Sequence, residues 1–294
     1  MRVDRSEARS FRVPVLPYEE PEGRPSSLLI LHGGGNQGHG ESVAWTMAAQ
    51  DAFVERVAVL KGRGTVASLA CEFVGYTRMA VEGALIDLAL RQNHMTLEQL
   101  AGPGQPVRFA ISFDRCADPV ERAKSMLAGN PDAVFKIDVD PRWGDVRELA
   151  RLNCVAVLDF KGEGTLEQGK VLRELFPDAI FEDGPAVPGA ASADQGIDTP
   201  GDVADVTADW VNIKAGRMGG FLAALYGLEE ARLRSIGAYF GGQFELGPGR
   251  NQARRLAALY TAGGTNDLAP IPPREDAARG PSPLAIDLNE GGFR

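Results

Sequence analysis

The sequence predicts an α/β chain in which residues 105–294 form a (β/α) barrel, and three observations lead there. From residue 107 onward, strand-length apolar runs recur: VRFAISF, DAVFKIDVD, CVAVLDF, DAIFEDG, DWVNIKA and IGAYFGG. Most neighbours among them are separated by an amphipathic stretch such as PVERAKSMLAG, WGDVRELARL or TLEQGKVLRELF. Apolar strands alternating with such helices mark βα units around a parallel sheet buried on both faces. The units recur about every 24 residues, which favours a closed sheet over an open, doubly wound one. No glycine-rich dinucleotide loop follows an early strand to argue for the open form.

Ahead of the barrel, residues 1–104 read as a small separate α+β domain. FRVPVL and SSLLILHG are strand-length apolar runs, and GGGNQGHGES punctuates them, as in a small twisted sheet. Residues 42–60 and 65–100 read as helical, most clearly TRMAVEGALIDLALRQ, where Met79, Val81, Leu85, Ile86 and Leu88 give a broad apolar face. Its Glu82 and Asp87 are expected either to face solvent or to bind the neighbouring domain. The tail PIPPREDAARGPSPLAIDLNEGGFR is rich in Pro and Gly and is expected over the surface.

Composition bounds the function. The 294 residues, 44% of them hydrophobic, suffice for a large barrel plus a smaller domain, and 35 Gly with 19 Pro imply many turns rather than a helical bundle. Forty acidic against 31 basic residues, a net charge of -9, give little attraction for a nucleic-acid backbone or an anionic membrane. Cys71, Cys116 and Cys154 stand apart without ligand or disulfide spacing, which fits a reducing compartment. MRVDRSEARSF lacks an apolar signal core, and no window approaches the ~18 apolar residues of a membrane span, so a cytoplasmic location is expected.

The carboxyl ends of barrel strands face the active site, so polar residues there need a reason. They carry Lys136 and Asp138, Asp159 and Lys161, Glu182 and Asp183, and Lys214, with Asp194 between the last two. Asp159, Glu182 and Asp194 can converge on one hard divalent cation, for which oxygen ligands with open positions suit magnesium. Crowding three carboxylates without a cation is costly. A lysine across from the metal can serve as a general base toward a carboxylate substrate's α-proton. The plainer alternatives are an Asp138 that pairs with Lys136 or Lys161, and an Asp183 that is a turn residue.

Several strings stand in an order that resembles the enolase superfamily, in particular the muconate-lactonizing branch of o-succinylbenzoate synthases, N-acylamino acid racemases and dipeptide epimerases. GHGES matches the G-x-GE stretch of its capping domain, and TRMAVEGALIDLAL its helix of the form (S/A)-AVE-AL-DL, apart from Met79 at the first place. FKIDVD, LDFKG and FEDGP take the places of its KxK, D-x-N and E-x-P strands. DWVNIKAGRMGG is similar to its lysine strand with a following GG pair, and YFGGQFELGPGRNQARRLAALY to its GGM-E-G-GR and helix. The resemblance implies a TIM-type barrel under an amino-terminal capping domain, and Mg2+ (or Mn2+) on Asp159, Glu182 and Asp194. It makes Lys214 one catalytic base, facing Lys136 and its strand across the substrate, and implies a homo-oligomer acting on a small carboxylate, with no nucleic-acid or membrane partner.

The chain is divergent and shortened. Asp138 replaces the second lysine of KxK, and Lys161 the asparagine of D-x-N. Two placements are open for Lys161: near the reaction centre as a replacement base, or where the cation belongs. Only 12 residues separate Glu182 from Asp194, against 23 from Asp159 to Glu182, so one crossover helix is expected to be missing. Asp198 is a fallback ligand. If Lys214 alone is competent, syn elimination of the o-succinylbenzoate synthase type is favoured. If Lys161 supplies a second base, the alternative is racemisation or epimerisation of N-acylamino acids or dipeptides. A metal-free, non-catalytic barrel is the third reading. Asp138, Glu245 and Arg24, the last in the loop YEEPEGR, are candidates for substrate contact, and Gly241 and Gly242 for leaving it room.

Overall fold

The structure, a computed structural model, describes residues 1–13, 23–269 and 293. Residues 18–22 of the loop YEEPEGR and the tail from 270, apart from Phe293, lie outside the described residues. The first element is an antiparallel meander of β2 (Arg5–Val13), β3 (Arg24–Gly33) and β4 (Asn36–Ser42), with the minor pair β1 (Arg2–Val3) and β5 (Gly62–Arg63) beside it. Gly34 and Gly35 make the β3–β4 turn with φ of 56° and 78°, the two positive values a tight two-residue hairpin demands.

Helices α1 (Met47–Val57), α2 (Val66–Ala70), α3 (Gly75–Gln92) and α4 (Leu97–Ala101) follow, those at 47, 66 and 97 each capped by a threonine side chain. Helix α3 presses so closely on β4 that a Cβ on Gly38 or Gly40 would lie 2.1 Å from Ala84 O or 1.9 Å from Ala80 O. The glycines of GHGES are thus the sheet's half of a backbone-to-backbone fit, and Ala80 and Ala84 are the helix's half. Val81, Leu85 and Leu88 then close a core with Leu29, Leu31, Phe53 and Val57. Met79, on the adjoining face, packs instead with Ile213, Met218 and Phe221 of the barrel. The two acidic residues of α3 are buried: Asp87 accepts the His39 N–H at 3.1 Å, and Glu82 accepts the Leu222 N–H at 2.9 Å from the barrel.

The barrel runs β6 (Ala110–Phe113), α5 (Pro119–Gly129), β7 (Val134–Asp138), α6 (Arg147–Arg151), β8 (Val155–Asp159), α7 (Leu166–Leu175), β9 (Ile180–Glu182) and β10 (Ala191–Ala193). It continues through a 3-10 turn (Asp202–Asp205), β11 (Trp210–Ile213), α8 (Ala215–Met218), α9 (Phe221–Leu233), β12 (Gly237–Phe240) and α10 (Pro248–Tyr260). Strands β6 to β12 pair in parallel in chain order. Asn266 and Asp267 join the two edges, bridging Phe109 on one side and Gly241 on the other, so an eighth short segment completes the ring. Aromatic rings pack between the strands and helices of the barrel's first half, Phe113 against Phe135 and Phe160 against Phe181.

No helix stands between β9 and β10, as the short spacing implies. Arg173 of α7 fills that side: its guanidinium lies 3.6 Å over the Phe181 ring and donates to Ala179 O at 2.7 Å and Ala190 O at 2.9 Å. The Asp183 carboxylate accepts the Asp194 N–H at 2.9 Å and holds the turn beyond β10. Phe293 is buried against Phe221 with ring centroids 5.4 Å apart. Among the described residues no helix is long and apolar enough to cross a membrane.

Candidate active site

Strand register assembles the site. Asp138 stands opposite Asp159, and Asp159 opposite Glu182, so the ends of β7, β8 and β9 bring their carboxylates abreast. Ser192 pairs with Glu182 and Ala193 with Val211, which sets Asp194 and Lys214 just beyond the next two strand ends. Because side chains alternate along a strand, Lys136 shares its inward face with Asp138, and Asn212 with Lys214.

Asp159, Glu182 and Asp194 are buried, and one carboxylate oxygen from each lies within 4.8 Å of the others. Each has a cationic partner. Lys136, itself buried, bonds Glu182 and lies 3.1 Å from Asp159 and 3.5 Å from Asp267. Lys161 bonds Asp159 and lies 3.1 Å from Asp138. Lys214 donates to Asp194 at 2.6 Å, and Arg217 bonds the other oxygen of that carboxylate. The two lysines thus flank the triad, Lys161 at its Asp159 end and Lys214 at its Asp194 end. Lys161 reaches the Asp159 carboxylate from the cavity side, the salt bridge also expected of a metal-free barrel, and the Lys136 ammonium lies on Asp159 and Glu182.

Burial pulls the Lys136 ammonium toward neutrality, but Glu182, Asp159 and Asp267 outweigh it and hold its pKa well above the ordinary lysine value. Burial likewise opposes charge on Lys161, and Asp159 and Asp138 reverse that and raise it. Burial raises Asp194, yet Lys214, Lys136 and Arg217 bring it down to about 2. Asp159 moves the same way, lowered against burial by Lys136 and Lys161. Burial is also the main cause raising Glu182, opposed by Lys136. Asp138 is raised, burial prevailing over its Lys161 partner.

The donor set is that of a hard cation site: three convergent carboxylates, each able to offer an oxygen, with no sulfur or imidazole among them. The three carboxylates could hold a dication, and their oxygens are at present shared with Lys136, Lys161, Lys214 and Arg217. Above the triad opens a cavity of about 420 Å³ lined by Lys136, Asp138, Lys161, Lys214, Trp45 and Phe244 among others. Gly241 lets β12 pass it, since a Cβ there would lie 2.9 Å from Lys214 Cε and 2.3 Å from Asn212 Oδ1.

Two expected substrate contacts are placed elsewhere. Arg24 is fully buried, donates to Ala44 O at 3.2 Å and stacks 4.3 Å from the Trp45 ring, so it backs a cavity wall instead of reaching in. Glu245 is buried in its own loop, where it accepts the Gln243 N–H at 2.8 Å, and it does not line the cavity. Asp198 is outside the triad and pairs at 3.4 Å with Arg217. The sequence pattern did not single out Asp267, Arg217, Trp45 or Tyr239. Asp267 sits on the closing segment, and the need for an eighth strand after α10 was the signal that could have found it.

No curated protein matches the chain in sequence. Solved structures match in fold. An enolase-superfamily member of unknown function from Enterococcus faecalis V583 is 21% identical with a TM-score of 0.74, over 92% of this chain and 86% of that one. A dipeptide epimerase from the same organism is 17% identical with a TM-score of 0.75, over 91% and 90%. A mandelate racemase/muconate lactonizing enzyme from Roseiflexus sp. is 17% identical with a TM-score of 0.74, over 90% and 88%. The fold is therefore the one that these enolase-superfamily structures share. The family model described as domain of unknown function (DUF8230), C-terminal domain, matches residues 103–272, which takes in the whole barrel and every carboxylate and lysine of the site, and the chain belongs to that family.

Proposed function

We propose that the chain is a divalent-cation-dependent enzyme that abstracts the α-proton of a small carboxylate substrate, and that it racemises or epimerises that carbon. The observation that carries this is the pair of lysines on opposite flanks of the triad, Lys161 on Asp159 and Lys214 on Asp194, both lining one cavity. Syn elimination of the o-succinylbenzoate synthase type needs one base, whereas inversion at a carbon needs a base on each face. The exchange of Asp138 and Lys161 relative to the family pattern moves the second ammonium from β7 to the end of β8 and keeps it in the cavity. The dipeptide epimerase likeness in fold adds support to this choice over elimination.

In this reading residues 1–104 cap the barrel of residues 105–294, and Asp159, Glu182 and Asp194 hold Mg2+ or Mn2+. When bound, the cation supplies positive charge against the carboxylate oxygens over which the electron pair of the broken C–H bond spreads. Lys136 leaves Glu182 and Asp159 and turns to the substrate carboxylate. Lys214 takes the α-proton from one face, and Lys161 gives a proton to the other, with Asp138 beside the Lys161 ammonium. Trp45 and Phe244 exclude water from that side of the substrate.

The test is proton exchange in deuterated water, followed by NMR on a panel of N-acylamino acids and dipeptides with Mg2+ present. Expected is deuterium at the α-carbon together with inversion. With Lys161→Ala, one enantiomer should still exchange while inversion is lost. Elimination product from any substrate, or inversion that survives Lys161→Ala, counts against the two-base assignment. A metal-free barrel with Lys136 as its resident cation draws on the same Lys136 contacts, and it predicts that no divalent cation binds.

A further inference from the structure

Beneath the triad, side chains of four successive strands form one hydrogen-bonded chain that ends on a Glu182 oxygen. Tyr239 of β12 is fully buried, and its phenol bonds Glu182 Oε2. Asn212 of β11 donates to the same oxygen at 2.9 Å. Ser192 Oγ of β10 lies 2.8 Å from the Tyr239 hydroxyl. Glu182, on β9, takes the Lys136 ammonium on Oε1 and the Asn212 amide on Oε2, so it is the acceptor in this group. The phenol has one proton, which goes to Glu182, and Ser192 must therefore donate to the phenol oxygen. The direction of the chain is set: Ser192 to Tyr239 to Glu182.

Buried hydroxyls cost free energy unless they are bonded, and phenylalanine at 239 with alanine at 192 would fill much the same interior without that demand. The hydroxyls act on Glu182 specifically. We infer that Tyr239 is a positioning residue for the cation site: the phenol and the Asn212 amide occupy Glu182 Oε2, which leaves Oε1, now bonded to Lys136, as the oxygen that Glu182 would offer a cation, and Ser192 holds the phenol in that role. This rests on the triad holding a divalent cation, as proposed above. Partners that orient a metal-ligating side chain commonly change metal affinity by about 10–100-fold when removed.

The experiment is a calorimetric Mn2+ titration of the unaltered chain and of the Tyr239→Phe, Ser192→Ala and doubly substituted variants, with thermal midpoints measured alongside. Tyr239→Phe should keep the stoichiometry and lose affinity by about 10-fold or more. Ser192→Ala should lose less, and the double variant should be no weaker than Tyr239→Phe alone, because Ser192 acts only through the phenol. The electron paramagnetic resonance spectrum of bound Mn2+ should change in Tyr239→Phe, since the ligand oxygen is no longer held. A purely structural role would lower the thermal midpoint and leave affinity and spectrum alone, and that result overturns the inference. If Tyr239→Phe does not fold, Ser192→Ala decides: unchanged Mn2+ affinity there also overturns it. If the unaltered chain binds no Mn2+, the cation assignment falls and this inference falls with it, an outcome distinct from equal binding by the unaltered chain and the variants.

Discussion

Replacing Lys136 by methionine isolates the ammonium that lies among the triad carboxylates. The side chain keeps much of its volume, but Glu182, Asp159 and Asp267 lose the cation they share, at distances of 3.1 Å to Asp159 and 3.5 Å to Asp267. Removing one partner of a buried ion pair costs about 3–5 kcal/mol, because the remaining charge is stranded. For a chain of this size each kcal/mol moves the thermal midpoint by roughly 2–4 °C, so the metal-free variant should melt on the order of 10 °C lower. Mn2+ should bind the variant more tightly than the unaltered chain, since Lys136 no longer competes for Glu182 and Asp159. At a Mn2+ concentration about 100 times Kd, binding returns about 2.7 kcal/mol. Scanning calorimetry in chelator and in Mn2+ gives both quantities. An unchanged midpoint in chelator, or a smaller Mn2+ shift in the variant than in the unaltered chain, would refute the placement of Lys136 on these carboxylates.

Two further predictions concern β4. Glu41 accepts the N–H groups of Leu246, Gly247 and Gly249 at the start of α10, and burial, with Glu245 adding to it, raises its pKa to about 7 from 4.5 despite those bonds and Arg250. The folded state then holds a proton that the unfolded state has lost, so this group's stabilisation is present below pH 4.5, is lost as pH rises to about 7 and is flat above, on the order of 3 kcal/mol in all. Glu41→Gln should remove that segment of the slope in urea unfolding curves measured across pH, and an identical slope in the variant argues against a titrating Glu41. Gly40→Ala forces β4 off α3, because its Cβ would lie 1.9 Å from Ala80 O. A loss of about 1–3 kcal/mol in unfolding free energy is expected, and a neutral effect would mean that the sheet and helix are not in the contact described.

Much of the barrel was legible because its strands are buried on both faces and read as continuous apolar runs, VFKID, VAVLD and WVNI among them. The carboxylates and lysines were legible because they end those runs. What escaped was short. Ala191–Ala193 has three residues and Asn266–Asp267 two, too few for any periodicity, yet the first positions Asp194 and the second closes the ring with Asp267. Contacts made sideways across the barrel were also hidden. Tyr239 reads as one more apolar strand residue, and only the neighbouring strands show that its hydroxyl meets Glu182. Arg24 reads as a loop cation, because nothing in YEEPEGR reveals that it starts β3 and lies behind Trp45. Lys136 was recognised by position, but the carboxylate its four-carbon side chain reaches depends on the register of three strands.

The proposed chemistry depends on Asp159, Glu182 and Asp194 holding a divalent cation at the mouth of this barrel. The measurement that meets it most directly is a calorimetric titration of Mg2+ and Mn2+ into the chelator-treated protein and into its Asp159→Ala and Glu182→Gln variants. One equivalent bound by the unaltered chain and none by either variant is the predicted result. No binding by the unaltered chain, or binding that survives both substitutions, would contradict it and leave Lys136 as the cation around which the three carboxylates are built.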